Sequence, residues 1–261
     1  MVVQPREPLS ETALRTAIRS KTGFWQRIGV VNVTNSTQDD LLREAASGAP
    51  APRVLLTELQ LAGRGRRGRT WTAPARSSLM MSLLVRPKAA PEHWSLLTPL
   101  TALALAETLE GVGLSPAVKW PNDVLLDGRK TAGILAAADG GAAVIGMGVN
   151  VSTTREELPL PEATSLAVAG ADPLDRNALA SEFLTRFASL YTAWESDPAS
   201  VLGPVRQRSA TLGREVRVEL PGGEALVGTA VDLTGDGGLV VASEGERRTV
   251  TAAETVHLRP A

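Results

Sequence analysis

The segment GRGRRGRTW (63–71) runs into TAPARSS (72–78), where Pro74 and weak helix formers leave no place for a helix to begin. That constrains the fold more than any other feature of the chain. Gly63, Gly65 and Gly68 spell a dinucleotide-binding G-x-G-x-x-G, and with Arg69 and Thr70 they also spell a phosphate loop in which arginine replaces lysine. Both motifs require a strand before the glycines and a helix directly after them. The strand is there, in the short apolar run RVLLTEL (53–59). The next apolar run, LMMSLLV (79–85), reads as a second buried strand. The order is therefore strand, arginine–glycine loop, strand, and neither nucleotide fold is expected. Four arginines with no carboxylate among them still make an anion-seeking loop.

The flanking elements follow from periodicity and caps. Helices are expected over 10–20, 36–48, 93–111 and 175–195, the last with Leu179, Phe183, Phe187, Leu190 and Trp194 on its core side. Ser10 and Ser36 are the expected N-caps. Strands are expected at 27–34, 117–120, 123–126, 130–138 and 142–151, with Asp127-Gly128 as a hairpin turn. After about residue 210 the chain breaks into short alternating strands divided by Gly-rich turns, the pattern of a small β-barrel. The expected class is α/β, of the α+β type: a mixed, hairpin-rich sheet with packed helices, then a small SH3-like β-barrel. The expected divisions are an N-terminal extension over 1–25, a main domain over 26–208 and the barrel over 209–261.

Composition narrows the chemistry. The 261 residues carry a net charge of −1, so no general nucleic-acid surface is expected and the arginine cluster is a local device. Cysteine is absent and the two histidines, His93 and His257, stand in unrelated contexts, which removes thiol nucleophiles and speaks against a histidine triad or a multi-histidine zinc site. No apolar run approaches the roughly 20 residues of a membrane span, and MVVQPREPLS has no apolar core of a signal peptide. A cytoplasmic location is expected. Lysine is scarce, four against twenty-three arginines, and two of the four, Lys119 and Lys130, lie eleven residues apart.

Three loops carry polar residues in excess of structural need: STQ (36–38), the arginine loop, and KWPND (119–123). With ELQLAGRGRRGRTW (58–71), GRKTAGIL (128–135), IGMGVNV (145–151) and ATSL (163–166), in that order, they resemble the biotin protein ligases. The likeness covers about residues 27 to 195, and the terminal barrel fits the small C-terminal domain of that family. It departs at one position, Gln38, where the family usually has asparagine.

The resemblance implies an enzyme that joins biotin and ATP into biotinyl-5′-AMP and passes biotin to a lysine of a carboxylase's biotin carboxyl carrier domain. It implies that Ser36, Thr37, Gln38 and Gln60 meet the ureido ring, and that Gly63, Arg64, Gly65 and Arg66 cradle the carboxylate. Arg66, Arg69, Lys119 and Trp71 would meet ATP, and Gly133 and Ile134 would shape the biotin wall. Lys130 would bridge the carboxylate and α-phosphate; Asn122, Asp123 and Asn150 would lie on the triphosphate side, with Asp123 holding Mg²⁺. Lys130, Arg66, Arg69 and Asp123 form the implied catalytic set. A lipoate ligase of the same fold is the alternative, disfavoured by KWPND and GRKTAGIL. A biotin-sensing repressor is another; only about one helix precedes Ser36, so DNA binding is not expected. The expected partners are biotin, ATP and the carrier domain, with the enzyme a monomer or weak homodimer.

Overall fold

The computed structural model describes residues 6–172, 175–253, 255 and 257–260, the last four in part by backbone alone. Residues 1–5 of the expected N-terminal extension lie outside them. The chain opens with α1 (Glu11–Arg19), β1 (Arg27–Thr34), α2 (Thr37–Ala46) and β2 (Arg53–Gln60). The arginine loop contains a two-residue hairpin, β3 (Gly63–Arg64) and β4 (Thr70–Trp71), before β5 (Ser78–Val85). Then follow α3 (Leu97–Glu110), β6 (Pro116–Lys119), β7 (Asp123–Leu126), β8 (Arg129–Asp139), β9 (Ala142–Asn150), α4 (Arg176–Ser196) and α5 (Leu202–Gln207). The terminal strands are β10 (Glu215–Glu219), β11 (Ala225–Leu233), β12 (Leu239–Ser243), β13 (Glu246–Val250) and β14 (His257–Pro260).

Seven strands form the main sheet in the order β1-β2-β5-β9-β8-β7-β6. Only β1 and β2 run parallel, and the other five pairings are antiparallel. This is the mixed, hairpin-rich sheet expected from the run of strands without intervening helices. Helix α2 packs on one face over Leu55, Leu84 and Val144, while α1, α3 and α4 bury the other. Cover on both faces explains why every residue of β5 is buried although the run carries Ser78 and Ser82. The five terminal strands form an antiparallel sheet, β13-β12-β11-β10-β14, of the small-barrel type expected. A register break at Val231 bends β11, the deformation a strongly coiled small sheet needs.

The caps form as their residue types dictate. Ser10 Oγ accepts from Ala13 N–H at 3.2 Å, and Ser36 Oγ from Asp39 N–H at 3.3 Å. The third helix differs from expectation at its start: Pro91–Leu96 is a 3₁₀ turn and the α-helix begins only at Leu97. Pro99 is the reason. Its ring opposes a carbonyl four residues back and it has no N–H to give, so it is tolerated only in a first turn. In α4, Leu179, Phe183, Phe187 and Trp194 are buried as expected, and Leu190 is partly so. A buried ion pair locks α4 to β2: Arg176 Nη1 lies 2.7 Å from Glu58 Oε2, the two side chains 5% and 6% exposed. Glu58 Oε1 also accepts from Leu9 N–H, and Arg176 Nη2 donates to Glu7 O at 2.6 Å, so the same pair holds the segment before α1.

Candidate active site

The cavity of interest is excavated on the face of the sheet that carries α2. Residues there alternate with the main core: Ala142 and Val144 of β9 lie under α2, whereas Ala143, Ile145, Met147 and Val149 face the core. Continuing that alternation toward the C-terminal end of β9 places Gly146 and Gly148 on the α2 side, Gly146 beneath Gln38 at the start of the helix. Their register neighbours are Ser82, Met80, Leu135 and Gly133. Gly133, Gly146 and Gly148, near the first turn of the covering helix, leave room for a hollow of about 320 Å³. Trp71, carried over by the arginine loop, lies flat on its floor. A Cβ on Gly148 would come within 2.4 Å of the indole, so only glycine admits the ring. The Trp71 indole N–H is buried without a hydrogen-bond partner.

One end of the hollow is polar and uncharged. Gln60 Oε1 caps the first turn of α2, accepting from Thr37 N–H at 2.9 Å and from its hydroxyl at 3.2 Å, and Thr37 Oγ1 lies 2.8 Å from Ser82 Oγ. Ser36, Thr37 and Gln38 are all buried at this end. The other end is cationic. Arg64, Arg66, Arg69 and Lys130 line it, and no acidic side chain lines the hollow anywhere among the described residues. Like charges gathered around a solvent-filled space call for a polyanion. The three arginines belong to a loop held at both ends. Arg64 Nε pairs with Asp39 Oδ2 at 3.0 Å, and Arg66 donates to the carbonyls of Thr255, at 2.9 Å, and of Ala252. Arg67 adds a bond to Ala253 O at 2.8 Å. Burial, followed by the charges of Arg67 and Arg69, lowers the Arg66 pKa from its ordinary value.

Lys130 lies beside Trp71 and Gly133. Its Nζ lies 2.6 Å from Asp123 Oδ1 and 5.8 Å from the centre of the Trp71 ring. The contact with Asp123 is one of charge, since the carboxylate oxygen has no aligned hydrogen bond. The backbone of Lys130 is clasped by the loop that closes the hollow: its N–H donates to Glu162 O and its carbonyl accepts from Thr164 N–H, both at 2.8 Å. Among the described residues no three acidic or histidine side chains converge as a metal site. A divalent ion therefore has at most the Asp123 carboxylate here, which suits an ion brought in on a triphosphate.

The structure brings most of the residues singled out in the sequence to one hollow. Ser36, Thr37, Gln38, Gln60, Arg64, Gly65, Arg66, Arg69 and Trp71 line the hollow, as do Asn122, Lys130, Gly133, Ile134 and Asn150. Three do not. Gly63 lies in a neighbouring depression, Lys119 lies on β6 with its register partner Asp123, and Asp123 contacts the Lys130 that lines the hollow. Lys119 lies on the edge strand β6, two strands away from the β8 that carries Lys130. Asn122 and Asn150 are partly committed, donating to Ile134 O at 2.9 Å and Thr164 O at 3.0 Å. Ser82 and Gly148 were missed. A hydroxyl inside the apolar run LMMSLLV and the alternating glycines of IGMGVNV were the signals available.

This arrangement has known counterparts. Residues 30–152 match the biotin/lipoate A/B protein ligase family and residues 211–258 match the biotin protein ligase C-terminal domain. The biotin–[acetyl-CoA-carboxylase] ligase of Mycobacterium tuberculosis is 40% identical over 260 residues, 97% of each chain. The bifunctional ligase/repressor BirA of Escherichia coli is 30% identical over 83% of this chain and 68% of its own. The biotin protein ligase of Aquifex aeolicus, solved with biotin and ATP, superposes with a TM-score of 0.78 at 26% identity, covering 90% of this chain and all of that one. The fold and site define an enzyme of the biotin/lipoate ligase class. Within that class the chain belongs to the biotin protein ligases.

Proposed function

We propose that the enzyme condenses biotin with ATP to biotinyl-5′-AMP and then transfers the biotinyl group to a lysine of the carrier domain of an acyl-CoA carboxylase. The observation that carries this reading is the polarity of the hollow: an uncharged hydrogen-bonding end and a cationic end that includes Lys130. In the first step a biotin carboxylate oxygen attacks the α-phosphorus of ATP and pyrophosphate leaves. Anion approaches anion, so the task of the protein is alignment and charge neutralisation. Lys130 sits where carboxylate and α-phosphate meet, and Arg66 and Arg69 face the remaining phosphates. Trp71, with its free indole N–H, borders the nucleotide. Mg²⁺, entering with the triphosphate, would add charge neutralisation, with Asp123 as the side chain to hold it. In the second step the carrier lysine attacks the acyl carbon and AMP leaves. No covalent enzyme intermediate is needed, which agrees with a chain free of cysteine.

The closed end supports biotin over lipoate. A urea presents both donors and acceptors to the hydroxyls and amides of this end, whereas a dithiolane has no N–H for the Gln38 amide oxygen, leaving it unpaired at roughly 1–3 kcal/mol. We also read residues 26–208 as the catalytic domain and 209–261 as a second domain. The test is exchange of labelled pyrophosphate into ATP. Biotin should support it and lipoate should not; exchange with lipoate alone would overturn the assignment.

A further inference from the structure

We infer that Gln38, the residue at which this chain departs from its family, is a specificity-determining acceptor for one ring N–H of the ureido group; the inference rests on the biotin reading above. Gln38 is the second residue of α2 and is 5% exposed. Its Nε2 donates to Leu135 O at 2.7 Å, with Val144 O at 3.4 Å. Two carbonyls around one end of the amide settle its orientation, because only the NH₂ group can face them. Oε1 is thereby turned the other way. Among the described residues it meets no donor, yet it is not sealed from solvent, and Gln38 borders the hollow at its uncharged end.

The reach depends on the long arm and on Gly146. A Cβ on Gly146 would lie 3.4 Å from Gln38 Cδ and 3.5 Å from Oε1, so the amide is laid against a position without a side chain. Asparagine, shorter by one bond of about 1.5 Å, would fall short of Leu135 O and leave its amide free to turn. The neighbouring acceptor is already taken, since Gln60 Oε1 is held by Thr37. Gln38 Oε1 is therefore the amide oxygen left to receive a ligand N–H. A headgroup with no N–H meets a fixed carbonyl oxygen with nothing to offer it.

The test is calorimetric titration of the full-length enzyme, without ATP, with biotin and with the two cyclic carbamates in which one or the other ring N–H is replaced by oxygen. Wild type should bind one of the carbamates at least about tenfold more weakly than biotin. Gln38→Leu should shrink that ratio to about twofold while the ratio for the other carbamate stays as in wild type. Gln38→Asn, a milder change should the leucine variant melt early, should shrink the same ratio part of the way. Wild-type indifference to both carbamates, or variants with wild-type ratios for both, overturns the role of Gln38 and leaves the biotin reading standing. Wild type that binds no biotin overturns both.

Discussion

At the scale of single residues, charge is placed for two different ends. Lys130 is partly exposed beside one carboxylate and one indole. Its charge matters most where negative charge accumulates, in the transition state. Lys130→Ala should therefore lower the rate of adenylate formation by about 10²–10³, the usual cost of one lost stabilising donor, and weaken biotin binding much less. Single-turnover assays beside equilibrium titration separate the two, and an unchanged rate would remove Lys130 from the chemistry. The Arg176–Glu58 pair is of the other kind: deeply buried and satisfied by its surroundings. Arg176→Ala would leave a carboxylate buried with no counter-charge, at about 3–5 kcal/mol. Chemical denaturation should show that loss as a lowered midpoint, and a shift below 1 kcal/mol would mean that Glu58 finds another partner.

At the scale of elements, the N-terminal helix does more than pack. Strand β1 is an edge of the main sheet, with backbone groups open to pairing. Helix α1 covers part of that edge with charge: Arg15 donates to Ile28 O at 3.1 Å, and Glu11 Oε2 accepts from Val30 N–H at 3.1 Å. The two side chains also pair with each other at 2.8 Å. Farther along, Val33 is 52% exposed and uncovered. Replacing both Glu11 and Arg15 with alanine should expose a longer stretch of edge and promote self-association. Sedimentation velocity over a concentration series would read this, and a variant that sediments like wild type would show the cover to be dispensable.

At the scale of the whole molecule, the terminal sheet and the main sheet share one apolar core. Val216, Val218, Leu239 and Val241 belong to the same buried cluster as Leu100, Phe183 and Ile145. Polar bonds reinforce the seam: Trp120 Nε1 donates to Gly237 O at 2.9 Å, and Trp120 N–H to Thr211 Oγ1 at 3.0 Å. A continuous core predicts one cooperative unfolding event. Scanning calorimetry should give a single transition with equal calorimetric and van't Hoff enthalpies, and two resolved transitions would contradict it. The same seam brings the carbonyls of residues 252, 253 and 255 to Arg66 and Arg67, so the arginine loop is tied to the far end of the chain.

Local chemistry was legible in the sequence wherever the cause lay within a few residues. Pro74 forbade a helix after the arginine loop, Ser10 and Ser36 made caps, and turn dipeptides marked the hairpins. Much of the cationic set and of the amide–hydroxyl set was visible as short motifs, because Arg64, Arg66 and Arg69 share one loop and Ser36, Thr37 and Gln38 one helix start, whereas Lys130 and Gln60 come from separate strands. What the tertiary structure decided is the pairing between segments far apart in the chain. Nothing near Gln38 in sequence shows that Leu135 and Val144, about a hundred residues on, will fix its amide. Nor does the sequence near Arg66 foretell its bonds to carbonyls of the terminal domain, or Trp71 its bed on Gly148. Caps and turns are set by short-range sterics and hydrogen bonding. Hydrogen bonds to backbone carbonyls carry no residue signature in the acceptor, so only the folded register of the sheet reveals them.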